Sequence, residues 1–475
     1  MKRLTALLPL LFVLFACRNS AGHLSSAPAV LARWHFQGAT YLQTQTSAPA
    51  LAKAASSLGS EAIGVRLATN LVRVVLQRLN VADEPQLTPL LAPLANDLLK
   101  YESAGEVTAH GWRVTVHLPT ERAHAWQAHA SSLAVLGTQA GAPSLSYTNG
   151  WLVVSSGKLN GAGSLPIQAG TFFNGEGDLA ALLGGAPADW PRVQATAAVA
   201  SNNVVTHATF DFSKPPLSAL PEWQLPEKMA HAPFTQFTAF RGGAPWLRKL
   251  AWWNQIFGTQ SPEQVFGWSS ADGQLCSFWA APVTDPKGNI ERIFSTVSPH
   301  FGTNGLLSGR PELATNHEAV AVFNPLGVKP VAAHVRQGSQ DFLLAALFPG
   351  GRSTNPIPAR LRTTLKDPNL VFHDVEFTPE SIQHWNAIFQ FYQVMRGMPV
   401  NARKALAHDW MWNSMTELGD AVTVVHQTSP TRLTLERSSS LGLTGLELVV
   451  ASRWLDGPIK PLPGGRLSLP VPPAP

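Results

Sequence analysis

The sequence predicts an α+β protein of two domains, each with a largely antiparallel sheet and packed helices. Stretches in which apolar residues recur at helical spacing alternate with short stretches of strand spacing. Strand stretches meet at tight-turn pairs such as Asn149-Gly150 and Asp272-Gly273, which favour antiparallel hairpins. Residues 213–233 hold five prolines and neither spacing, so they are predicted to connect the two domains. The alternative is a long crossover inside one domain.

The first domain is predicted to span residues 33–212. Trp34 and Phe36 alternate with polar residues, which indicates a first strand. The next elements are predicted in this order: a helix at 47–79 with an interruption near Gly59, a break at Pro85 and Pro89, a helix at 90–99, a strand at 112–118, a helix at 120–136, a hairpin around 149–150, and two strands within 193–212.

The second domain is predicted to span residues 234–456. Its first strand, 234–240, precedes a tryptophan-rich stretch. The later elements are predicted as follows: a helix at 285–297, strands at 319–323, 331–336, 341–347 and 371–377, helices from 378 and at 400–418, and closing strands at 421–427, 431–437 and 444–454. Both domains show a helix–hairpin–strand rhythm that hints at a duplication, although no residue-level repeat is present.

The tryptophan-rich stretch, residues 242–282, holds five of the fifteen tryptophans. Apolar residues recur at helical spacing in its first part, which predicts a helix with this stripe: Trp246, Leu250, Trp253, Phe257. A hairpin that turns at Asp272-Gly273 would pair Phe266 with Trp279 and Trp268 with Ser277. That register places Phe266, Trp268 and Trp279 on one face of the hairpin.

Rings at such regular spacing are typical of a core, because each buries a large apolar area. Trp252 lies off the stripe. Together with Trp268 and Trp279, it is the candidate surface for a ligand or a partner.

The composition limits the possible functions. The chain has 475 residues, of which 45% are hydrophobic and only 14% charged, and its net charge is +5. No cluster of basic residues follows the first few positions, so nucleic-acid binding is not predicted.

The N-terminus has the form of an export signal. Lys2 and Arg3 precede an apolar run at 4–16, which is too short to span a bilayer and fits the core of a signal peptide. The run ends in Leu14-Phe15-Ala16-Cys17, which resembles the lipobox of bacterial lipoproteins. The resemblance covers residues 1–17 and implies that Cys17 carries a lipid and anchors the chain to a membrane. The alternative is cleavage near residues 20–22 and a soluble secreted protein.

Flanking segments follow from this interpretation. Residues 18–32 are small and polar and are predicted to be a tether, and residues 457–475 are proline-rich and predicted to be a disordered tail. With Cys17 lipidated, Cys276 has no partner for an intramolecular disulfide.

Candidates for chemistry are few. Asp374 and Glu376 would share one face of a predicted strand, as a general acid/base pair could, or as the solvated side of a half-buried strand would. No metal site is predicted, because the sequence has no HExxH motif and no paired CxxC, and no cofactor is predicted either. The patterns GxSxG and GxxxxGK[ST] are also absent.

We therefore predict an exported, lipid-anchored protein of the cell envelope, periplasmic or attached to the outer membrane, that binds a protein or glycan partner rather than catalysing a reaction. Two alternatives stay open. The first is a hydrolase that uses dispersed Asp, Glu and His residues. The second is a carrier of an apolar ligand, which a cavity of several hundred Å³ beside Trp252 or Trp268 would favour.

Overall fold

The computed structural model describes residues 30–457, with gaps at 58, 79–80, 82–83, 109–110, 134–142, 158–164, 166, 183–188, 272, 274, 302–308, 324–329, 349–353 and 396–404. The leader with Cys17, residues 18–29 of the predicted tether, and residues 458–475 of the predicted tail lie outside the described residues. Residues 30–32, predicted as tether, belong to the first strand.

The strands have the following bounds: β1 Val30–Phe36, β2 Ser103–Thr108, β3 Gly111–His117, β4 Ser144–Thr148, β5 Trp151–Gly157, β6 Thr171–Asp178, β7 Arg192–Ala200, β8 Asn203–Asp211, β9 Phe234–Arg241, β10 Gln264–Ser270, β11 Ser277–Pro282, β12 Arg310–Leu313, β13 Ala319–Phe323, β14 Val331–Gln337, β15 Gln340–Ala346, β16 Leu370–Phe377, β17 Asp420–Ser429 and β18 Arg432–Ser439.

The α-helices have the following bounds: α1 Gly38–Gln43, α2 Pro49–Ser56, α3 Ser60–Arg78, α4 Glu84–Lys100, α5 Thr120–Ala128, α6 Ala130–Leu133, α7 Leu179–Leu182, α8 Ala244–Leu247, α9 Ala251–Phe257, α10 Pro286–Val297, α11 Ala359–Thr364, α12 Thr378–Met395, α13 Leu406–Ser414 and α14 Gly445–Asp456.

Within the part of the chain that the structure describes, the strands form a single 18-stranded sheet. Their pairings are all antiparallel and give this order across the sheet: β4-β5-β3-β2-β1-β6-β7-β8-β18-β17-β16-β9-β10-β11-β15-β14-β13-β12. The prediction of an α+β fold with antiparallel sheet is confirmed. The division into two domains is not, since β8 and β18 join the predicted domains in one sheet.

The two halves of the sheet repeat one topology. In the first half the order is β4-β5-β3-β2-β1-β6-β7-β8, and in the second half the corresponding order is β14-β15-β11-β10-β9-β16-β17-β18. The pair β12–β13 is additional to the second half. The corresponding strands β8 and β18 pair antiparallel, as a two-fold relation between the halves requires. The hint of a duplication thus has a counterpart in the strand order.

The longer helices cover one face of the sheet, which we call the helix-covered face, whereas Leu361 of the short helix α11 packs on the opposite face. Over the first half, α3, α4 and the strands enclose the largest cluster of buried apolar residues, which includes Trp34 and Leu71. Residues of the C-terminal helices join this cluster, among them Trp410 of α13 and Leu448 of α14. The packing therefore crosses the predicted domain boundary.

Residues 213–233 cover part of the opposite face. Trp223, Leu225 and Met229 pack against a second buried cluster that contains Phe237 and Phe266. The guanidinium of Arg241 lies 4.6 Å from the centre of the Trp223 ring. This part of the proline-rich stretch packs on the sheet. The predicted role of the stretch as a connector between domains stays a prediction.

Three predicted elements are wrong. Residues 444–454 do not form a strand, because Thr444 and Glu447 make a capping box that begins α14. The predicted tryptophan helix is broken into α8 and α9 at residues 248–250. Pro89 does not end a helix, since α4 continues through it.

The predicted register of the tryptophan hairpin is also wrong, by one residue. Phe266 pairs with Ala280 and Trp268 with Phe278. A shift of one residue exchanges the faces of a strand, so Trp279 lies on the face opposite to Phe266 and Trp268. The two-residue turn on which the prediction relied falls partly outside the described residues, and six residues connect Ser270 to Ser277.

Candidate functional site

A cavity of about 620 Å³ lies on the helix-covered face of the second half of the sheet. Strands β9, β10, β11 and β13–β15 contribute to its lining, and α10 and α12 border it. Among the described residues, the lining is formed by Gln236, Thr238, Phe240, Val265, Gly267, Trp268, Ser269, Ser277, Phe278, Trp279, Ile293, Val297, Val320, Val322, Pro330, Val331, Ala332, Ala345, Ala346, Leu347, His384, Trp385 and Ile388.

Gly267 of β10 lines this cavity and has no side chain that would fill it. A Cβ atom added there would approach nothing closer than the Phe278 carbonyl oxygen, at 3.9 Å. Thr238 of β9 and Trp279 of β11 are its direct neighbours across the sheet. A strand glycine without a covering side chain is one physical cause of the hollow.

The corresponding glycine of the first half is covered. Gly105 of β2 pairs with Trp34 of β1 just as Gly267 pairs with Thr238 of β9. A Cβ added to Gly105 would lie 1.9 Å from an atom of the Trp34 ring, so the indole fills this space. The cavity thus occurs where the second half has a threonine in place of a tryptophan.

The lining is apolar except for a few polar groups. Among the lining residues that the structure describes, none is Asp, Glu, Lys or Arg. Its polar members are Gln236, Thr238, Ser269, Ser277, His384 and Trp385. Such a lining, apolar with a few convergent polar groups, is typical of small-molecule sites.

Three of these polar groups form one cluster. The His384 Nε2 atom lies 3.1 Å from the Ser269 Oγ atom and 3.1 Å from the Ser277 Oγ atom. Ser269 and Ser277 face each other across β10 and β11, and His384 approaches them from α12. His384 and Ser269 are buried. We call these residues the Ser–His cluster.

The other polar groups of the lining are bonded to the protein. The Asp374 Oδ1 atom accepts hydrogen bonds from Thr238 Oγ1 at 2.5 Å and from Gln236 Nε2 at 3.0 Å. The Trp385 Nε1 atom donates to Gln236 Oε1 at 3.2 Å. Burial raises the pKa of Asp374, and the bonds from Thr238 and Gln236 act in the opposite direction. Asp374 therefore positions part of the lining.

Glu376 lies on the same face of β16, as predicted, but serves a different structure. Its carboxylate accepts hydrogen bonds from the hydroxyls of Thr378 and Ser381 and from the backbone N–H of Gly445. These donors belong to the first turns of α12 and α14. Burial raises the pKa of Glu376 to about 7, opposed by the bonds from Ser381 and Gly445. The predicted acid/base candidates are thus neighbours, and both are buried rather than solvated.

The three predicted tryptophans lie in different environments. Trp252 is 40% exposed on α9 and contacts Trp253 edge to face, at 5.4 Å between ring centres. Trp268 is 3% exposed, stacks on Phe278 and borders the cavity. Trp279 is half-buried, lines the cavity and meets Trp253 edge to face. They do not form one flat surface.

The sequence interpretation did not find Ser269, Ser277, His384 or Gly267. The predicted register placed Trp268 opposite Ser277, which hid the serine pair. Two serines directly opposite each other in an otherwise apolar hairpin would have been the signal. His384 comes from a helix more than a hundred residues away in the chain, and no local pattern links it to the serines.

No family model matches the chain, and no curated protein is detectably similar to it. One solved structure, crystal form I of TP0453, aligns with 9% sequence identity and a TM-score of 0.24, over 50% of this chain and 100% of that one. Within the described ranges, no helix is long and apolar enough to cross a membrane. The same residues include no group of three or more His, Cys, Asp or Glu that could hold a metal.

Proposed function

We propose that the protein binds an apolar small molecule in the cavity of its second half and acts as a carrier or sensor of that molecule. The observation that supports this proposal is a cavity of about 620 Å³ with an apolar lining beside Trp268. Ligand pockets have volumes of ~300–1,000 Å³. At ~30 Å³ per atom, the cavity holds on the order of 20 non-hydrogen atoms.

The driving force is burial of apolar surface. An apolar ligand in the cavity would remove its own surface and the lining from water, at ~25 cal/mol per Å². Rings of Trp279 and Trp385 would contact it at the lining. Binding of this kind needs no charged partner, which agrees with the uncharged lining.

The hydrolase alternative finds less support. Ser269 and His384 could be compared with a nucleophile and its base. However, Ser269 lies on β10, which is paired on both sides, by β9 and β11. The sheet bonds there take up the backbone N–H groups that an oxyanion hole would need. The geometry favours binding.

A series at Gly267 tests the cavity. Wild-type protein should bind the hydrocarbon fluorophore diphenylhexatriene, with increased fluorescence. Gly267→Ala, Gly267→Val and Gly267→Leu should weaken binding progressively, by about tenfold or more for leucine, since roughly 0.8 kcal/mol is forfeited per displaced CH₂ contact. Each variant should remain folded, because the space above Gly267 is open.

Gly419→Ala is the matched control. Gly419 does not line the cavity, and a Cβ atom there would meet the Ser440 Oγ atom at an ordinary 3.7 Å. This variant should bind the fluorophore like wild type. Wild type that fails to bind, or Gly267→Leu that binds equally well, would contradict the proposal.

We further propose that this carrier works in the cell envelope, periplasmic or attached to the outer membrane, and is held to a membrane by a lipid on Cys17. The leader at residues 1–17 supports this, through its basic start, its short apolar run and its terminal cysteine. Expression with labelled palmitate should label wild type but not Cys17→Ser. Equal labelling of both, or of neither, would remove the anchor and leave a secreted protein as the alternative.

A further inference from the structure

The serine pair of the cavity is not required by the fold. Ser269 and Ser277 pair across β10 and β11, and the corresponding pair across β2 and β3 is Val107 with Trp112. Val107 and Trp112 are buried in the apolar cluster of the first half. The same position of the same topology is therefore built from apolar side chains in one half and from hydroxyls in the other.

The Ser–His cluster keeps hydrogen-bonding capacity for a ligand. Each serine hydroxyl has one donor hydrogen and two acceptor lone pairs. The contacts around it are those to His384 Nε2, at 3.1 Å, and one from Ser277 to the Leu275 carbonyl oxygen, at 3.3 Å. These contacts cannot occupy every lone pair of two hydroxyls. If Nε2 carries the histidine proton, the Ser269 hydrogen is also available.

Charge limits what can bind here. The other polar lining groups, Gln236, Thr238 and Trp385, are bonded to Asp374 or to each other. The described part of the lining includes no Lys or Arg side chain to pair with a phosphate and no Asp or Glu to pair with an ammonium group. Moving a charged group from water into the cavity without a partner of opposite charge costs a desolvation free energy on the order of several kcal/mol.

From these observations, and on the basis of the proposed function, we infer that the ligand is an aliphatic amphiphile whose head is a single uncharged hydroxyl or carbonyl oxygen. The Ser–His cluster binds this oxygen, and the apolar lining holds the chain. A hydroxyl would donate to and accept from the cluster, and a carbonyl would accept from a serine hydroxyl. Amphiphiles with phosphate or ammonium heads should bind more weakly, because the described lining residues offer such a head no partner of opposite charge.

Displacement of diphenylhexatriene tests the head group. Dodecanol and methyl dodecanoate should displace the fluorophore from wild type at concentrations about tenfold lower than dodecyl phosphate or dodecyltrimethylammonium. The ratio of dodecanol to methyl dodecanoate distinguishes a hydroxyl from a carbonyl as the preferred head. Charged amphiphiles that compete equally well would overturn the inference.

The double variant Ser269→Ala, Ser277→Ala tests the residues. It should lose about tenfold in affinity for dodecanol and methyl dodecanoate, the usual effect of a hydrogen bond or two. Its affinity for diphenylhexatriene, which has no oxygen, should stay within about twofold of wild type, and this also shows that the cavity is intact. Ser56→Ala, on the exposed end of α2, is the matched control and should change neither.

The two proposals fail differently. If diphenylhexatriene binds and the Gly267 series weakens it, the cavity is a binding site whatever the head group. If the double serine variant then keeps the full affinity for dodecanol and methyl dodecanoate, the assignment of the Ser–His cluster is wrong. Absence of fluorophore binding to wild type would remove both.

Discussion

The two halves of the sheet share one strand order, yet one is filled and the other is hollow. In the first half the ring of Trp34 lies over Gly105 and belongs to a large buried cluster. In the second half Thr238 takes the position of Trp34, and Gly267 lines a cavity. The comparison shows that the same strand order can enclose either a packed core or a cavity. The outcome depends on a few side chains on the helix-covered face.

Filling is the more stable solution. A tryptophan side chain buries about 150–250 Å², which corresponds to about 4–6 kcal/mol at ~25 cal/mol per Å². The second half has Thr238 at this position and lacks the stabilisation that a buried tryptophan would give. A local loss of stability in an otherwise well-packed fold is expected at a functional site. For this reason we assign the proposed function to the cavity.

A second difference concerns buried carboxylates. The positions of Asp374 and Glu376 in β16 correspond to Gly175 and Gly177 in β6, because Asp374 pairs with Thr238 where Gly175 pairs with Trp34. At these two positions the second half thus buries acids where the first half has glycines. One of them positions lining residues and the other joins the first turns of two helices.

The largest expected effect is that of hollowing the first half. Trp34 is 1% exposed, and Trp34→Thr would give the first half the residue of the second. The lost burial and the residual cavity should lower the free energy of unfolding by about 3–5 kcal/mol. Urea denaturation measures this loss. Trp252→Thr, at an exposed tryptophan, is the control and should cost ~1 kcal/mol or less. Equal losses in both variants would mean that Trp34 does not fill a core.

The next effect is a pH dependence that comes from Glu376 in the second half. Glu376 has its pKa raised from 4.5 to about 7, so the folded state holds its proton more tightly than the unfolded state. Its contribution to stability is complete below pH 4.5 and is lost as the pH rises to about 7. Glu376→Gln should therefore gain about 3 kcal/mol over wild type across this range, as measured by urea denaturation at a series of pH values.

His373 provides the opposite slope as a control. Burial, with smaller contributions from Arg360 and His426, lowers its pKa from 6.5 to about 4. Its contribution to stability is complete above pH 6.5 and is lost as the pH falls to about 4. His373→Gln should gain on wild type as the pH falls. Parallel pH profiles for Glu376→Gln and wild type would show that Glu376 is not buried as described.

The smallest expected effect is a gain in stability when a methyl group is added at Gly267, on the lining of the cavity. Gly267→Ala should raise the free energy of unfolding by about 0.5–1 kcal/mol, because glycine in a strand loses more conformational entropy on folding than alanine. The corresponding Gly105→Ala should instead be destabilising, by about 3 kcal/mol, since its Cβ would overlap the Trp34 ring. Urea denaturation of both variants compares the two glycines directly. Effects of the same sign would contradict the difference between the halves.

Local patterns predicted much of the fold. The strand spacing of Trp34 and Phe36 and the turn at Asn149-Gly150 marked elements that the structure contains. Thr444 and Glu447 are a local signal for the start of a helix, although the apolar run after them predicts a strand. The one-residue error at Trp268 shows the limit, since a hairpin register depends on a connection whose length local signals did not fix.

The cavity could not be predicted in the same way. That Gly267 is uncovered depends on Thr238 of another strand, and the Ser–His cluster needs His384 of a distant helix. Trp252, Trp268 and Trp279 were near in sequence, but only two of them border the cavity. The residues near a strand in the sequence do not predict which side chain from a distant part of the chain will cover it.

Spacing and turn chemistry act over a few residues, so they are enough to predict the α+β class, the antiparallel hairpins and most element positions. Only the folded chain shows that the described strands join one sheet, that the two halves of this sheet repeat an order, and that one half is hollow. These depend on pairing and packing between residues far apart in the chain, where the size of a single side chain, Trp34 or Thr238, determines whether space is filled.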